Sequence, residues 1–392
     1  RHMKLLKYSL ALLCCLSLLM HGCVEEFNAQ LPDGDTDLLV VDGNIISDST
    51  VIFSLSRSVS LDDVLATDVY DHIDAEVNVV GSDGSIYKGK NLGLGRADDY
   101  RVTIGKLNPQ VLYHLEIKWN GDTYTSTPQQ PLETEEFALN FKQIDETSPV
   151  QVQATTNPAT DGNTSYYIWD YEEDWEIRTT YRSRFVFDPD EGRNGAIIEY
   201  SEAPYDQGWI HKTSNSILIS STDNFQDNRL KNKTIYHIDY TDNRISHLYS
   251  TLVTQRKITK GEYEYYQCKE RYTNNMSGLF TPQPSELPTN ITCDNKNKRV
   301  IGYVGVNMNV VKQRLFIPTT EVYYEQDYKC VPRNHESFEG ADYKEIYDQG
   351  YQVSYYSALL GAIIIQWVNT RCVDCRAFDA NPDAKPDFWP NN

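Results

Sequence analysis

The chain has 392 residues, 36 of them Lys or Arg and 56 Asp or Glu, for a formal charge of -20, and 40% are hydrophobic. That length suffices for roughly two or three domains with buried cores, and 21 Gly with 16 Pro exclude a collagen-like or Pro/Gly-rich disordered chain. The acidity excludes a nucleic-acid binder or a protein held on anionic lipid by charge, because a phosphate lattice repels such an excess of carboxylates.

Arg1-His2 precede Met3 and are set aside from the reading of fold and chemistry. Lys4 and Lys7 then lead an apolar run from Leu10 to Met20, too short to span a bilayer and suited to the h-region of a secretory signal. The run ends in Leu19-Met20-His21-Gly22-Cys23, which resembles a bacterial lipobox, His21 being an unusual occupant. Cleavage before Cys23 and acylation of its thiol are expected. Each buried methylene of the acyl chains contributes about 0.8 kcal/mol, so several chains hold a soluble body on a lipid bilayer without a spanning helix. Glu25-Glu26 resemble the export signal that sends Bacteroidota lipoproteins to the outer face of the outer membrane. Removing residues 1–22 takes away Arg1, Lys4 and Lys7 and no acid, which leaves a body of charge -23.

Residues 23–37 read as a lipid-anchored acidic tether. Asp33-Gly34-Asp35-Thr36-Asp37 looks superficially like the opening of a calcium loop, but Gly34 is misplaced and the distal Glu is absent. Residues 38–131 carry short strands at Leu38 to Ile46, Val51 to Arg57, Ala75 to Val79, Ser85 to Lys88, Tyr100 to Ile104, Tyr113 to Trp119 and Thr123 to Ser126. Ser82-Asp83-Gly84 and Asn120-Gly121 supply hairpin turns. This pattern predicts an immunoglobulin-like or transthyretin-like sandwich. Gly84 to Lys90 falls one residue short of a phosphate-binding loop, with Asn91 in place of Ser or Thr, and it lies in a hairpin rather than before a helix. Asp48-Ser49-Thr50 resembles a periplasmic O-glycosylation sequon.

Residues 132–392 read as a larger β-rich domain with at least one helix and a cysteine-containing C-terminal segment. Strands are expected at Tyr166 to Tyr171, Arg184 to Phe187, Ser216 to Ser220, Ser246 to Thr254, Val300 to Val311 and Arg314 to Ile317. Thr259-Lys260-Gly261-Glu262 matches a capping box and opens a helix to about Asn274. The prolines of Thr281-Pro282-Gln283-Pro284-Ser285 forbid a helix there. Ala358 to Ile365 predicts a buried strand or strand-turn core.

Beyond Cys23, five cysteines remain in the exported body: Cys268, Cys293, Cys330, Cys372 and Cys375. An oxidising location favours two disulfides and one odd thiol, with Cys268 joined to Cys293 and Cys330 to Cys372 or Cys375. The competing zinc reading would add Cys330 and His335 to Cys372 and Cys375. No nucleophile elbow or metalloprotease His pair occurs, and no catalytic residue, metal or cofactor is expected. The tyrosines Tyr263, Tyr265, Tyr266, Tyr323, Tyr324, Tyr355 and Tyr356 could present a sugar- or peptide-binding platform, or fill the core of a β-rich protein.

Several segments together resemble one family. They are the lipobox with Leu38-Leu39-Val40-Val41-Asp42-Gly43, Tyr167-Ile168-Trp169, Tyr263-Glu264-Tyr265-Tyr266, Ser277 to Ser285, Asn290-Ile291-Thr292-Cys293, Val300-Ile301-Gly302-Tyr303, Cys372-Val373-Asp374-Cys375-Arg376 and Lys385-Pro386-Asp387-Phe388-Trp389-Pro390. Their order resembles the Bacteroidota outer-membrane lipoproteins classed as domain of unknown function 4249. Thr281 departs from the family's usual Asp, and the glycines often found ahead of the Lys-Pro-Asp-Phe-Trp segment are missing. Such proteins are typically encoded beside TonB-dependent receptors. The resemblance therefore implies a non-enzymatic, cell-surface accessory of an outer-membrane β-barrel transporter that aids substrate capture or gating. The alternatives are a structural or assembly subunit of an outer-membrane complex, and an extracellular enzyme acting on peptide or glycan.

Overall fold

Alternating apolar and polar side chains draw the first strands where the sequence places them. These are β1 (Leu39–Asp42), β2 (Ile45–Ile46), β3 (Ser49–Arg57), β4 (Glu76–Gly81), β5 (Ile86–Asn91), β6 (Asp98–Ile104), β7 (Tyr113–Trp119) and β8 (Asp122–Ser126). The computed structural model describes residues 38–58, 72–93, 98–158, 162–275, 287–338, 342–359 and 362–390. The signal at 1–22, the tether at 23–37 with Cys23, and the Ser277 to Ser285 segment lie outside the described residues. Of two compact units, Leu39–Ser56 with Tyr70–Asn392 forms one. In the other, Arg1–Leu38 with Arg57–Val69, the described Leu38 N–H donates to Ser58 Oγ at 2.9 Å.

Asn120 and Gly121 both adopt positive φ, 52° and 85°, the conformation a tight two-residue hairpin turn requires between β7 and β8. β5 pairs with β4 through Ile86, Tyr87 and Lys88, then with β6 through Gly89, Lys90 and Asn91. The sheet thereby folds over at Gly89, where a Cβ would lie 2.7 Å from the Val77 carbonyl oxygen. The resulting nearly closed wrap buries Phe53, Leu55, Val77, Val79, Tyr100, Val102, Leu115 and Ile117 between its layers.

The sandwich is not complete within residues 38–131. Ile291–Cys293 adds antiparallel to β8, Val300–Ile301 adds parallel to β1, and Val306–Asn307 pairs with β2. Ile291, Val300, Val304 and Val306 are buried in the same core. A boundary at residue 131 therefore cuts through a sheet whose last strands come from residues 287–308. The strand expected from Val300 to Val311 is broken for a steric reason. Gly302 takes a φ of 141° against β1, where a Cβ would stand 2.2 Å from the Val41 oxygen.

The second half builds another pair of layers. β9 (Phe137–Lys142) and β10 (Val150–Thr156) are followed by the long β11 (Tyr166–Arg178), the hairpin β12 (Phe185–Asp188) and β13 (Ala196–Glu199), β14 (Gln207–Thr213), β15 (Leu218–Ser221), β16 (Lys233–Ile238) and β17 (Leu248–Ile258). The helix α1 (Lys260–Asn275) comes next, then β18 (Ile291–Cys293), β19 (Val300–Ile301), β20 (Val306–Asn307) and β21 (Val311–Pro318). The order β14-β11-β17-β21 forms one sheet, with β15 beside β11, and β16-β10-β9 forms the facing one. Tyr167, Trp169, Tyr171, Trp175 and Tyr249 pack against Val150, Val152, Tyr236 and Ile238 between them, and the Tyr171 and Tyr236 rings stack at 4.1 Å.

Thr259 caps α1 as the sequence predicts, its Oγ1 accepting the Glu262 N–H at 3.1 Å, while the Glu262 carboxylate accepts the Thr259 N–H and holds Arg256 at 2.7 Å. That buried ion pair lies where β17, α1 and β20 meet, because Arg256 also donates to Asn307 Oδ1 at 3.3 Å. Burial pushes the Glu262 carboxyl up from its ordinary value, and Arg256 opposes the rise.

The last sheet consists of β22 (Arg333–Asn334), β23 (Tyr351–Leu359) and β24 (Ala362–Asn369) in the order β22-β24-β23, with the helix α2 (Tyr343–Asp348) before β23. Of the Ala358 to Ile365 segment, expected to be a buried strand or strand-turn core, Leu359, Ile363 and Ile364 are instead exposed and Ile365 is buried.

Candidate functional site

Two places gather side chains that could act on something outside the chain. The first is the hairpin of β23 and β24. Its base is anchored, since Val353, Ile365 and Trp367 pack with Phe187 and Ile346. A capping box fixes α2, with the Asp342 carboxylate accepting the Glu345 N–H at 2.9 Å and the Glu345 carboxylate accepting the Asp342 N–H at 3.0 Å. That helix sets the Tyr343 ring 5.1 Å from His335 and 5.8 Å from Trp367.

Beyond Tyr356 the core ends but the apolar sequence continues. Leu359 is 68% exposed, Ile363 60%, Ile364 52% and Tyr355 47%. The register pairs Ser357 with Ile364 and Ala358 with Ile363, so neighbouring isoleucines face opposite sides and both faces of the tip are apolar. No charged residue occurs from Tyr351 to Asn369 in a chain of charge -20. Ile363, Ile364 and Ile365 line one wall of a groove of about 280 Å³, whose other wall is Asn334, His335, Glu336 and Tyr343. His335 Nδ1 lies buried there without a hydrogen-bond partner.

The second place is one face of β11. Asp174 and Glu176, two apart on a strand, share that face. Asp174 pairs with His211 at 2.8 Å and with Arg314 at 3.3 Å. Glu176, 0% exposed, accepts from Arg178 Nε at 2.5 Å, from Gln207 and from the Trp389 indole at 3.0 Å. His247 stands 3.7 Å away, and burial pulls its pKa down. The C-terminal segment closes this face by wrapping the sheet edge. Trp209 of β14 exchanges backbone hydrogen bonds with Asn381 at 3.0 and 2.9 Å, and Arg314 lies 3.5 Å over the Phe388 ring. The carboxylates are thus saturated by donors from the chain itself, which makes the row a clamp on the C-terminus.

The candidate tyrosines do not form one platform. Tyr265 and Tyr266 lie on α1 and are buried against Ile168 and Ile258, and Tyr263 of the same helix packs 5.1 Å from Tyr166. Tyr324 donates to Asn243 Oδ1 at 2.8 Å, and Tyr323 is 40% exposed beside Tyr240. Tyr356 leans on Phe185 at 5.6 Å, whereas Tyr355 is free on the hairpin. Sequence reasoning named Tyr355 but missed the groove beside it, whose walls come from segments that no spacing connects.

Among the five body cysteines, Cys330 and Cys372 form a disulfide. The expected Cys268–Cys293 bond is absent, and both carry free thiols. The two belong to different structures, Cys268 to α1 on the second sheet and Cys293 to β18 on the edge of the first. Cys375 is a buried free thiol pushed up to about 12 by burial. With the Cys330 and Cys372 sulfurs bonded to each other, the four-ligand zinc arrangement is not formed. Asp122, Cys293 and Asp294 bring their ligand atoms within 4.8 Å of one another, but the Lys298 ammonium already pairs with Asp122. No helix among the described residues is long and apolar enough to cross a membrane.

The fold and the hairpin together define a mainly β protein with an exposed apolar hairpin among its described residues. Residues 24–314 match the model of the family described as domain of unknown function (DUF4249), and the chain belongs to that family. No curated protein matches the sequence. Among solved structures, trypsin-activated alpha-2-macroglobulin from Escherichia coli is similar at 8% identity and a TM-score of 0.18, over 58% of this chain and 15% of that one. A DUF4785 family protein from Legionella pneumophila is similar at 14% identity and a TM-score of 0.17, over 51% of this chain and 55% of its own. The chain thus spans about one seventh and about half of those two structures.

Proposed function

We propose that the chain is a non-catalytic docking lipoprotein, held on the outer membrane through Cys23 and probing an outer-membrane β-barrel transporter of the TonB-dependent class, whose substrate capture or gating it aids. The observation that carries this reading is the hairpin tip, where Leu359, Ile363 and Ile364 are each more than half exposed. Soluble surfaces seldom keep such residues together unless a partner covers them. The lipobox and the acidic body support the placement, since a -23 surface stays solvated above a bilayer that the acyl chains engage. The carboxylates that could serve a hydrolase, Asp174 and Glu176, are engaged with Arg314, Arg178, Gln207 and Trp389, which favours a structural role for them. Purification of the tagged full-length lipoprotein from detergent-solubilised outer membrane is expected to recover a barrel protein in stoichiometric amount. Recovery of the lipoprotein alone would overturn the reading.

A further inference from the structure

The tip of β24 has no paired strand along its second edge among the described residues. β24 pairs with β23 along its whole length, but β22 covers it only at Gln366 and Trp367, opposite Asn334 and Arg333. After Asn334 the chain turns into the short helix His335–Phe338, which stays beside β24 but does not pair with it as a strand. Ala362, Ile363, Ile364 and Ile365 therefore have no strand on that side among the described residues. In an antiparallel sheet each neighbour takes the N–H and C=O of every second residue, so half of this stretch presents backbone donors and acceptors outward. The groove lined by His335, Glu336 and Ile363 to Ile365 includes three residues of the same stretch.

From this we infer that the β24 edge is a strand-addition site, which takes an extended segment of a partner protein carrying apolar residues and a basic residue. Backbone hydrogen bonds to the alternate residues of Ala362 to Ile365 whose N–H and C=O face outward supply the affinity. An added strand alternates its side chains above and below the sheet, so it meets the exposed Ile363 on one face and Ile364 on the other. This is why the tip is apolar on both faces, where simple docking of one face needs only one. Among the described residues, the Glu336 carboxylate is the one charge lining the groove, and the whole chain is strongly acidic, so a Lys or Arg on the incoming strand is complemented. Insertion into lipid fits less well, because unpaired strand edges are not tolerated in hydrocarbon. The inference rests on the docking reading and names its contact.

The test uses the full chain and short fluorescein-labelled peptides of alternating valine and lysine, with two controls: glutamate for lysine, and N-methylated valine amides. Saturable binding of the valine–lysine peptide is expected, weakened about tenfold or more in each control and in the neutral I363N/I364N variant. Both substituted positions are exposed, so the variant is expected to keep the wild-type melting temperature. Amide exchange at residues 362–365 slows on binding. Absence of saturation, equal binding of the N-methylated peptide, or undiminished binding by I363N/I364N overturns the proposal. So does hairpin-dependent binding to phosphatidylcholine vesicles without peptide binding, which assigns the tip to lipid. A barrel that co-purifies equally with I363N/I364N sinks the strand-addition site and leaves the docking function standing. Peptide binding without any co-purifying barrel does the reverse.

Discussion

Cys375 shows how little a residue's identity says before its surroundings are known. In the sequence it is one half of a Cys-x-x-Cys pair, read first as a disulfide candidate with a metal site as the competing reading. In the fold it lies under β14, where a Cβ on Gly208 would meet its sulfur at 2.8 Å, and its partner Cys372 is bonded to Cys330 across 42 residues. Closing a loop of that length stabilises the folded chain by about 4 kcal/mol in the chain-entropy description. Thiol reactivity follows thiolate fraction and access, so the five cysteines separate by alkylation. Without reductant the native protein is expected to be modified at Cys268 and Cys293, which are partly exposed, and at Cys375 only after unfolding. Cys330 and Cys372 react only after reduction. Peptide mass spectrometry reads this directly, and native labelling of Cys330, or a recovered Cys268–Cys293 peptide, contradicts it.

At the scale of elements, local signals carry far and then stop at contacts between distant segments. The hairpin turn at Asn120-Gly121, the cap at Thr259 and the strands β3, β4, β6 and β7 were legible because each depends on neighbours in sequence. The exposure of Leu359, Ile363 and Ile364 was not, because an apolar run reads the same whether it is covered or projecting. The C-terminal Lys-Pro-Asp-Phe-Trp segment was visible as a motif, but its partner Glu176 lies 213 residues earlier. The Trp389 indole is a donor to a carboxylate with no access to water. Trp389→Phe keeps most of the ring volume and removes that donor, so it is expected to cost roughly 1–3 kcal/mol. In the E176Q background, where the buried group is neutral, the same change should cost less. Denaturant unfolding of the two single variants and the double variant measures the coupling, and strict additivity would show that the indole acts by packing alone.

At the scale of the whole molecule, strands β18, β19 and β20 tie the first sandwich to chain that lies beyond the second sheet and α1. The composition pattern suggested a domain closing at residue 131, since strand spacing and turn residues are complete by then. What no spacing reveals is that the edges of that sheet are filled from residues 287–308. Ile291, Val300, Val304 and Val306 bring four buried side chains to its core. At about 1.5–3 kcal/mol each, their loss amounts to roughly 6–12 kcal/mol, comparable to the whole stability of an ordinary domain at about 5–15 kcal/mol. It also leaves β1 and β8 as bare edges, a known route to association. A fragment of residues 38–131 is therefore expected to aggregate or to unfold without a cooperative transition. The same fragment joined through a flexible linker to residues 287–308 is expected to regain a single sigmoidal transition in urea. If the isolated fragment unfolds cooperatively at a similar midpoint, the late strands only decorate the sandwich, and the two halves of the chain fold independently after all.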